Sequence, residues 1–228
     1  MDLAALSLTL RLAALTTALL LIVATPLAAW LAGLTPFSSN TLARKLVQAA
    51  IALPLVLPPT VLGFYLLVGL GPTTALGRAI ITLLGHPLAF TFPGLVVGSC
   101  IYSLPFAVQP LVTAFASVDP TLVDTARVLG ANPFATFYRI LLPLSRQGIL
   151  TAAVLTFAHT VGEFGVVLMI GGDIPGSTRT MSISIFDQVQ EGNYTAANHA
   201  SLALLALSFV ALLLVYWRGA NTRRSPVA

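Results

Sequence analysis

Glu163 is the residue of this chain best placed to do chemistry. It stands in FAHTVGEFG, Phe157 to Gly165, within an otherwise uncharged apolar stretch, and His159 lies four residues before it. On a helix that spacing puts both side chains on one face. A Glu–His hydrogen bond would then offset part of the roughly 3 kcal/mol that a lone charge costs inside a membrane helix. Gly162 and Gly165 flank the acid and permit a close helix approach. The pair reads either as the lining of a gate or pathway, or as a structural pin between two helices. Arg179, with Ser177, Thr178 and Thr180 around it, offers donors to an oxyanion or forms a solvated turn. The third group is LPLVLPPTVLGFYLLVGLG, Leu53 to Gly71, with Pro54, Pro58 and Pro59. Each proline frees a carbonyl that neighbouring helices, side chains or a wet cavity must satisfy. Pro58 and Pro59 therefore mark a pathway or hinge, or a kink that only shapes packing.

Other chemistries lack their residues. There is no G-x4-G-K-[ST] phosphate loop, and Gly71 to Gly77 has no lysine. His86, His159 and His199 are far apart and show no metal-ligand spacing. Cys100 is the single cysteine, so no internal disulfide can form. No catalytic residue, metal site or cofactor is predicted in this chain.

The elements that carry these groups are set by composition. Of 228 residues, 57% are hydrophobic and only 8% charged, with a mean hydropathy of +0.94. A soluble domain carries about a quarter charged residues. Uncharged runs cover Leu12 to Asn40, Leu46 to Gly77, Ala79 to Val118, Gln147 to Gly162 and Gly192 to Trp217. A spanning helix needs about 20 apolar residues, which predicts spans near 8–33, 46–70, 92–116, 147–170 and 198–217. The fold class is all-α and polytopic, with lipid as a partner and residues 1–228 as one domain. Between Ala79 and Pro93 the residues Gly85, His86 and Pro87 break the run, which predicts an extracytoplasmic loop with a short helix.

Basic residues orient the spans. Arg44, Lys45, Arg127, Arg139, Arg146, Arg218, Arg223 and Arg224 fall on one side, and Arg11, Arg78 and Arg179 on the other. This predicts an outer N-terminus, a cytoplasmic C-terminus and a cytoplasmic segment at 119–143. Met1-Asp2 offers no basic n-region, so no cleaved signal peptide is expected. The net charge of +4 flanks the spans rather than forming a stripe for nucleic acid.

That cytoplasmic segment contains DTARVLGANPFATFYRILLP, Asp124 to Pro143, a polar pair of short helices between apolar runs. Asp119-Pro120 and Asn132-Pro133 each supply an N-cap and a first helical residue. Gly130 can close the first helix in a left-handed turn. Phe134, Phe137, Tyr138 and Leu141 recur at spacings of three and four, which predicts one aromatic face. The segment reads as a rigid knob on which another protein docks.

The same stretch resembles the cytoplasmic signature of ABC importer permeases, E-A-A-x3-G-x9-I-x-L-P. Asp124, Thr125 and Ala126 stand in the first triplet, followed by Gly130, Ile140, Leu142 and Pro143. LPLVLPPTVLG, VGEFG and DIPGSTRT further resemble the molybdate-type permeases of the sulfate/tungstate/molybdate importer group, over nearly the whole chain. This chain has His159 where that family usually carries arginine. The resemblance implies the five-helix core of a type I (MetI-like) importer permease in the bacterial plasma (inner) membrane. It implies a homodimer, a separate ATPase subunit that uses ATP and Mg, and an extracytoplasmic molybdate-binding protein. Asp124, Thr125, Ala126, Gly130, Asn132, Pro133, Phe134, Phe137 and Tyr138 would then form the ATPase-coupling surface. Pro58, Pro59, His159, Glu163 and Arg179 would lie at the translocation path or its gates. Sulfate, thiosulfate or tungstate are alternative cargoes. A carrier or channel without an ATPase fits less well, because the chain has one in-membrane acid and no internal repeat.

Overall fold

The computed structural model describes residues 2–34 and 41–222, with 214–216 and 218–222 by backbone alone. Arg223, Arg224 and most of the loop after the first helix lie outside the described residues, as do the side chains of Arg218 and Met1.

Among the described residues twelve α-helices follow in order. They are α1 (Leu3–Leu31), α2 (Thr41–Val56), α3 (Pro59–Gly69), α4 (Ala75–Leu84), α5 (Phe92–Ala116) and α6 (Pro120–Val128). After these come α7 (Pro133–Thr136), a wide π turn (Phe137–Leu141), α8 (Leu142–Leu144) and α9 (Arg146–Val161). The chain finishes with α10 (Gly165–Gly171), α11 (Met181–Gln190) and α12 (Tyr194–Thr222). Among the described residues three helices, α1, α5 and α12, are long and apolar enough to cross a membrane, or up to five spans if each bent pair is one span.

The centre is a mutual packing of α1, α5 and α9. Apolar area alone cannot drive helices together in lipid, so close contact between small side chains has to. Ala13, Ala24, Ala28, Ala107, Ala152, Ser99 and Ser103 are all fully buried there. Gly148 of α9 lies so close to Ala114 of α5 that any side chain would collide with it.

Two expected spans are broken instead of continuous. The stretch near 46–70 is α2 and α3, bent by 114° at Leu57-Pro58. Pro58 takes φ −54° and ψ 135°, and Pro59 opens the next helix. Neither proline has an amide to continue the ladder, so the chain turns where the two stand together. The stretch near 147–170 ends as α9 at Val161 and resumes as α10 at Gly165. Between Ala79 and Thr91 only α4 forms, stopped by Gly85 at φ +79°.

The 119–143 segment is fused to the bundle. Val123 and Leu141 join Phe115, Leu111 and Val118 in one buried cluster, with Phe137 packed against it. The aromatic face expected there is split. Phe137 and Leu141 turn inward, with the Phe115 and Phe137 rings 6.1 Å apart, whereas Phe134 and Tyr138 face outward. The short helix lies across the end of the bundle, so only one edge of its stripe meets the core.

Candidate functional site

The two interrupted spans meet. Pro59 and Thr60, at the start of α3, lie beside Tyr102 of α5, His159 of α9 and the Gly162–Gly165 break, around a cleft of about 510 Å3. A side chain at Gly165 would stand 2.8 Å from Pro59 Cβ, and one at Gly63 would stand 2.7 Å from Met169 Cβ. Glycine at both positions therefore lets α10 lie directly on α3 and forms the wall of the cleft. Pro58 sits at the hinge itself, one residue outside the lining.

His159 is held by α5. Its Nδ1 lies 2.9 Å from Ser103 Oγ, which is also 3.0 Å from Thr160 Oγ1. Its ring stacks on Phe106 at 3.9 Å and tilts against Tyr102 at 4.8 Å. The expected Glu163–His159 hydrogen bond is absent. Glu163 lies in the non-helical turn after α9, so the four-residue helical spacing no longer aligns the two side chains. The carboxyl group is buried, and neither of its oxygens has a hydrogen-bond partner.

Arg179 is not part of this cleft. Its Nε and Nη2 both meet the Asp173 carboxylate, the latter at 2.8 Å. Asp187 Oδ2 lies 3.7 Å from Nε, within ion-pair range but too far for a hydrogen bond. The Arg179 hydrogen bond holds the Asp173 carboxyl below its usual range. Burial, then the nearby Asp173 charge, pushes Asp187 up. The neighbouring hydroxyls are also used internally: Thr178 Oγ1 donates to Gly171 O at 2.6 Å, and Thr180 caps α11. Arg179 is thus held in a charge-paired loop.

The knob is capped as its residues dictate. Asp119 accepts from Thr121 N at 2.9 Å, and Asn132 from Ala135 N at 2.7 Å. Gly130 has φ +83°, with Gly130 N donating to Arg127 O at 3.0 Å and Ala131 N to Ala126 O at 2.9 Å. This is the paired C-cap that only a left-handed residue closes without strain. Arg127 bridges to Asp124 at 3.3 Å and donates to Leu34 O at 3.2 Å, which ties the knob to the end of α1. Ala126 is buried, whereas Thr125 points outward. Apolar side chains are left to solvent: Val128 is 87% exposed, Leu129 81% and Phe134 70%. Beside them a hollow of about 420 Å3 is lined by Gly130, Asn132, Arg139 and Ile140.

Residues 24–223 match the model of the binding-protein-dependent transport system inner membrane component. The chain belongs to this family. It is 51% identical to the molybdenum transport system permease protein ModB of Azotobacter vinelandii, over 94% of this chain and 93% of that protein. The ModB of Escherichia coli (strain K12) is 35% identical over 76% of each chain. A bacterial alginate ABC transporter, solved with a pentasaccharide-bound periplasmic protein, has the same fold at TM-score 0.74 and 19% identity. That likeness covers 98% of this chain and 80% of the other. As a family member, the chain is a multi-pass membrane protein.

The sequence reading did not single out Thr60, Ser99, Tyr102, Ser103 or Phe106 as part of the site. Ser99 and Ser103 are four apart in an apolar span, and that polar spacing is the signal that places them on one face.

Proposed function

We propose that this chain is the membrane-spanning subunit of an ATP-driven importer that moves molybdate across the plasma membrane. The observation that carries this reading is the knob: a capped pair of helices, fused to the core, that keeps Val128, Leu129 and Phe134 in solvent. Exposed apolar side chains clustered on a rigid surface mark a docking site. The cargo rests on the 51% identity to the molybdenum permease. ATP and Mg belong to an ATPase subunit on the knob, and a molybdate-binding protein delivers the anion on the opposite side. Two copies of the chain enclose the pathway.

The orientation has local support. Arg127 reaches Leu34 O, so the end of α1 and the knob share one face of the molecule. In the sequence Arg44, Lys45, Arg127, Arg139 and Arg146 flank the spans at that end, which supports a cytoplasmic face there and an outer N-terminus.

The coupling runs along one helix. The knob continues through α8 into α9 with a bend of 72°. The 16 residues of α9 end beside His159 and the Glu163 turn, a rigid rod of about 24 Å. When the ATPase pair closes and moves the knob, the far end of α9 moves against Pro59 and Thr60 and changes the cleft. His159 and the α3–α10 contact act as the hinge-side wall in this scheme.

Radiolabelled uptake tests the reading. In cells lacking their own molybdate importer, this chain with its partner subunits restores uptake and molybdenum-enzyme activity, and excess sulfate does not compete. Relief of sulfur auxotrophy instead would assign sulfate or thiosulfate as cargo. No uptake of any oxyanion by correctly inserted protein would refute the importer.

A further inference from the structure

The inner end of the cleft carries charge that the bundle does not answer. Glu163 is 3% exposed, and both carboxylate oxygens lack hydrogen-bond partners. Among the described residues the ion pairs join Arg127 to Asp124 and Arg179 to Asp173 and Asp187, and none reaches Glu163. The groups around it are Ser99, Cys100 and Tyr102 of α5, with Thr16 of α1 next to Cys100. His159 of α9 shares the cleft but is committed through Nδ1 to Ser103. Ser99 neighbours the carboxyl but makes no hydrogen bond of good geometry to it, and Thr16 Oγ1 is also unpartnered. Two hydroxyls and a carboxyl therefore gather in one buried region, and neither carboxyl oxygen receives a hydrogen bond there.

The backbone adds the same sign of charge. α9 stops at Val161, with Gly162 N folding back to Ala158 O and Glu163 N to Thr160 O, each at 3.3 Å. The C-terminal end of a helix carries partial negative charge, which at Val161 O is softened by a hydrogen bond from Ser182 Oγ at 3.4 Å. A buried carboxylate beside it is unfavourable unless a cation or a proton neutralises it. Interrupted membrane helices hold monovalent ions at such ends.

We infer that the α9–α10 break binds a small monovalent cation of the sodium class, held by the Glu163 carboxylate, the Ser99 hydroxyl and carbonyls at the end of α9. Carboxylate, hydroxyl and carbonyl oxygens suit a hard ion. No group of three or more His, Cys, Asp or Glu stands together among the described residues to hold a transition metal. One carboxylate balances one positive charge. The bound ion also removes a negative charge from the wall that an anionic cargo would pass.

The test is a binding measurement on the full chain in lipid nanodiscs, melted in sodium chloride and in choline chloride at equal ionic strength and over a range of pH. With sodium at ten times its Kd, the expected rise in Tm is roughly 3–6 °C over choline. Glu163→Gln abolishes the rise. Ser99→Ala keeps the carboxylate and leaves a smaller rise, which holds the test open if the first variant folds poorly. Sodium NMR line broadening by the wild-type protein, lost in Glu163→Gln, gives a second readout. Equal Tm in both salts overturns the inference, as does full sodium dependence in both variants. A Tm that follows pH and ignores sodium also overturns it, because a proton then neutralises the site. Transport enters none of these readouts, so the importer reading stands or falls separately.

Discussion

At Asp173, Arg179 and Asp187 two acids share one guanidinium, and the sharing has a sign that pH can read. Asp173 is depressed from 3.8, chiefly by the hydrogen bond from Arg179. It lends stability above 3.8 that is lost as pH falls through the lower, folded-state value. Asp187 is raised from 3.8, chiefly by burial. Its stability is fullest below 3.8 and fades as pH rises through the higher, folded-state value. Asp187→Asn is therefore expected to raise Tm at neutral pH, with the gain vanishing near pH 4, while Asp173→Asn lowers Tm at neutral pH. Thermal melts across pH check both, and a Tm loss from Asp187→Asn at pH 7 would contradict this account. Gly130 gives a second residue-scale expectation. Nothing lies within 4 Å of where its side chain would be, so only φ +83° constrains it. Gly130→Ala should cost about 1 kcal/mol and lower the uptake rate, whereas Gly130→Asn, which tolerates that φ, keeps most of it. The Gly130 cap was legible from spacing alone. The Glu163–His159 pair was not, because their alignment assumed a helix that stops two residues before the acid.

At the scale of elements, α10 is the short piece on which the cleft depends. It packs on α3 and α5 through positions that admit no side chain. At Gly98 of α5 a new Cβ would stand 2.5 Å from Ile170 Cδ1 and 3.3 Å from Val166 Cγ1. Gly98→Ala should destabilise by roughly 1–3 kcal/mol through overpacking. Ile170→Val removes the colliding methyl and should recover most of that loss. A double-mutant cycle on Tm measures the recovery, and none would mean that α5 and α10 do not touch as described. The three prolines marked the α2–α3 break in the sequence, since missing amides are readable. The 114° bend was not readable, because it depends on Gly63 and Gly165 letting α3 settle on α10. Likewise α4 was legible as a short helix ended by the Gly85, His86 and Pro87 signals. The rotation of Phe137 inward was hidden, because a periodic stripe does not reveal which of its edges meets the core.

At the scale of the whole molecule, a rigid knob is joined to a cleft by α9, with apolar side chains left in solvent at one end. Phe134 is the residue to probe. It is 70% exposed, whereas Phe137 packs against Phe115 in the core and would test folding instead. The central claim is that an ATPase docks there. The deciding measurement is co-purification of detergent-solubilised wild type and Phe134→Asp with mild crosslinking, the captured proteins being identified by mass spectrometry. A phosphate-loop ATPase bound to the wild type and lost from an equally well inserted Phe134→Asp is the predicted result. Equal capture by both forms, or no ATPase on the wild type, would contradict the account.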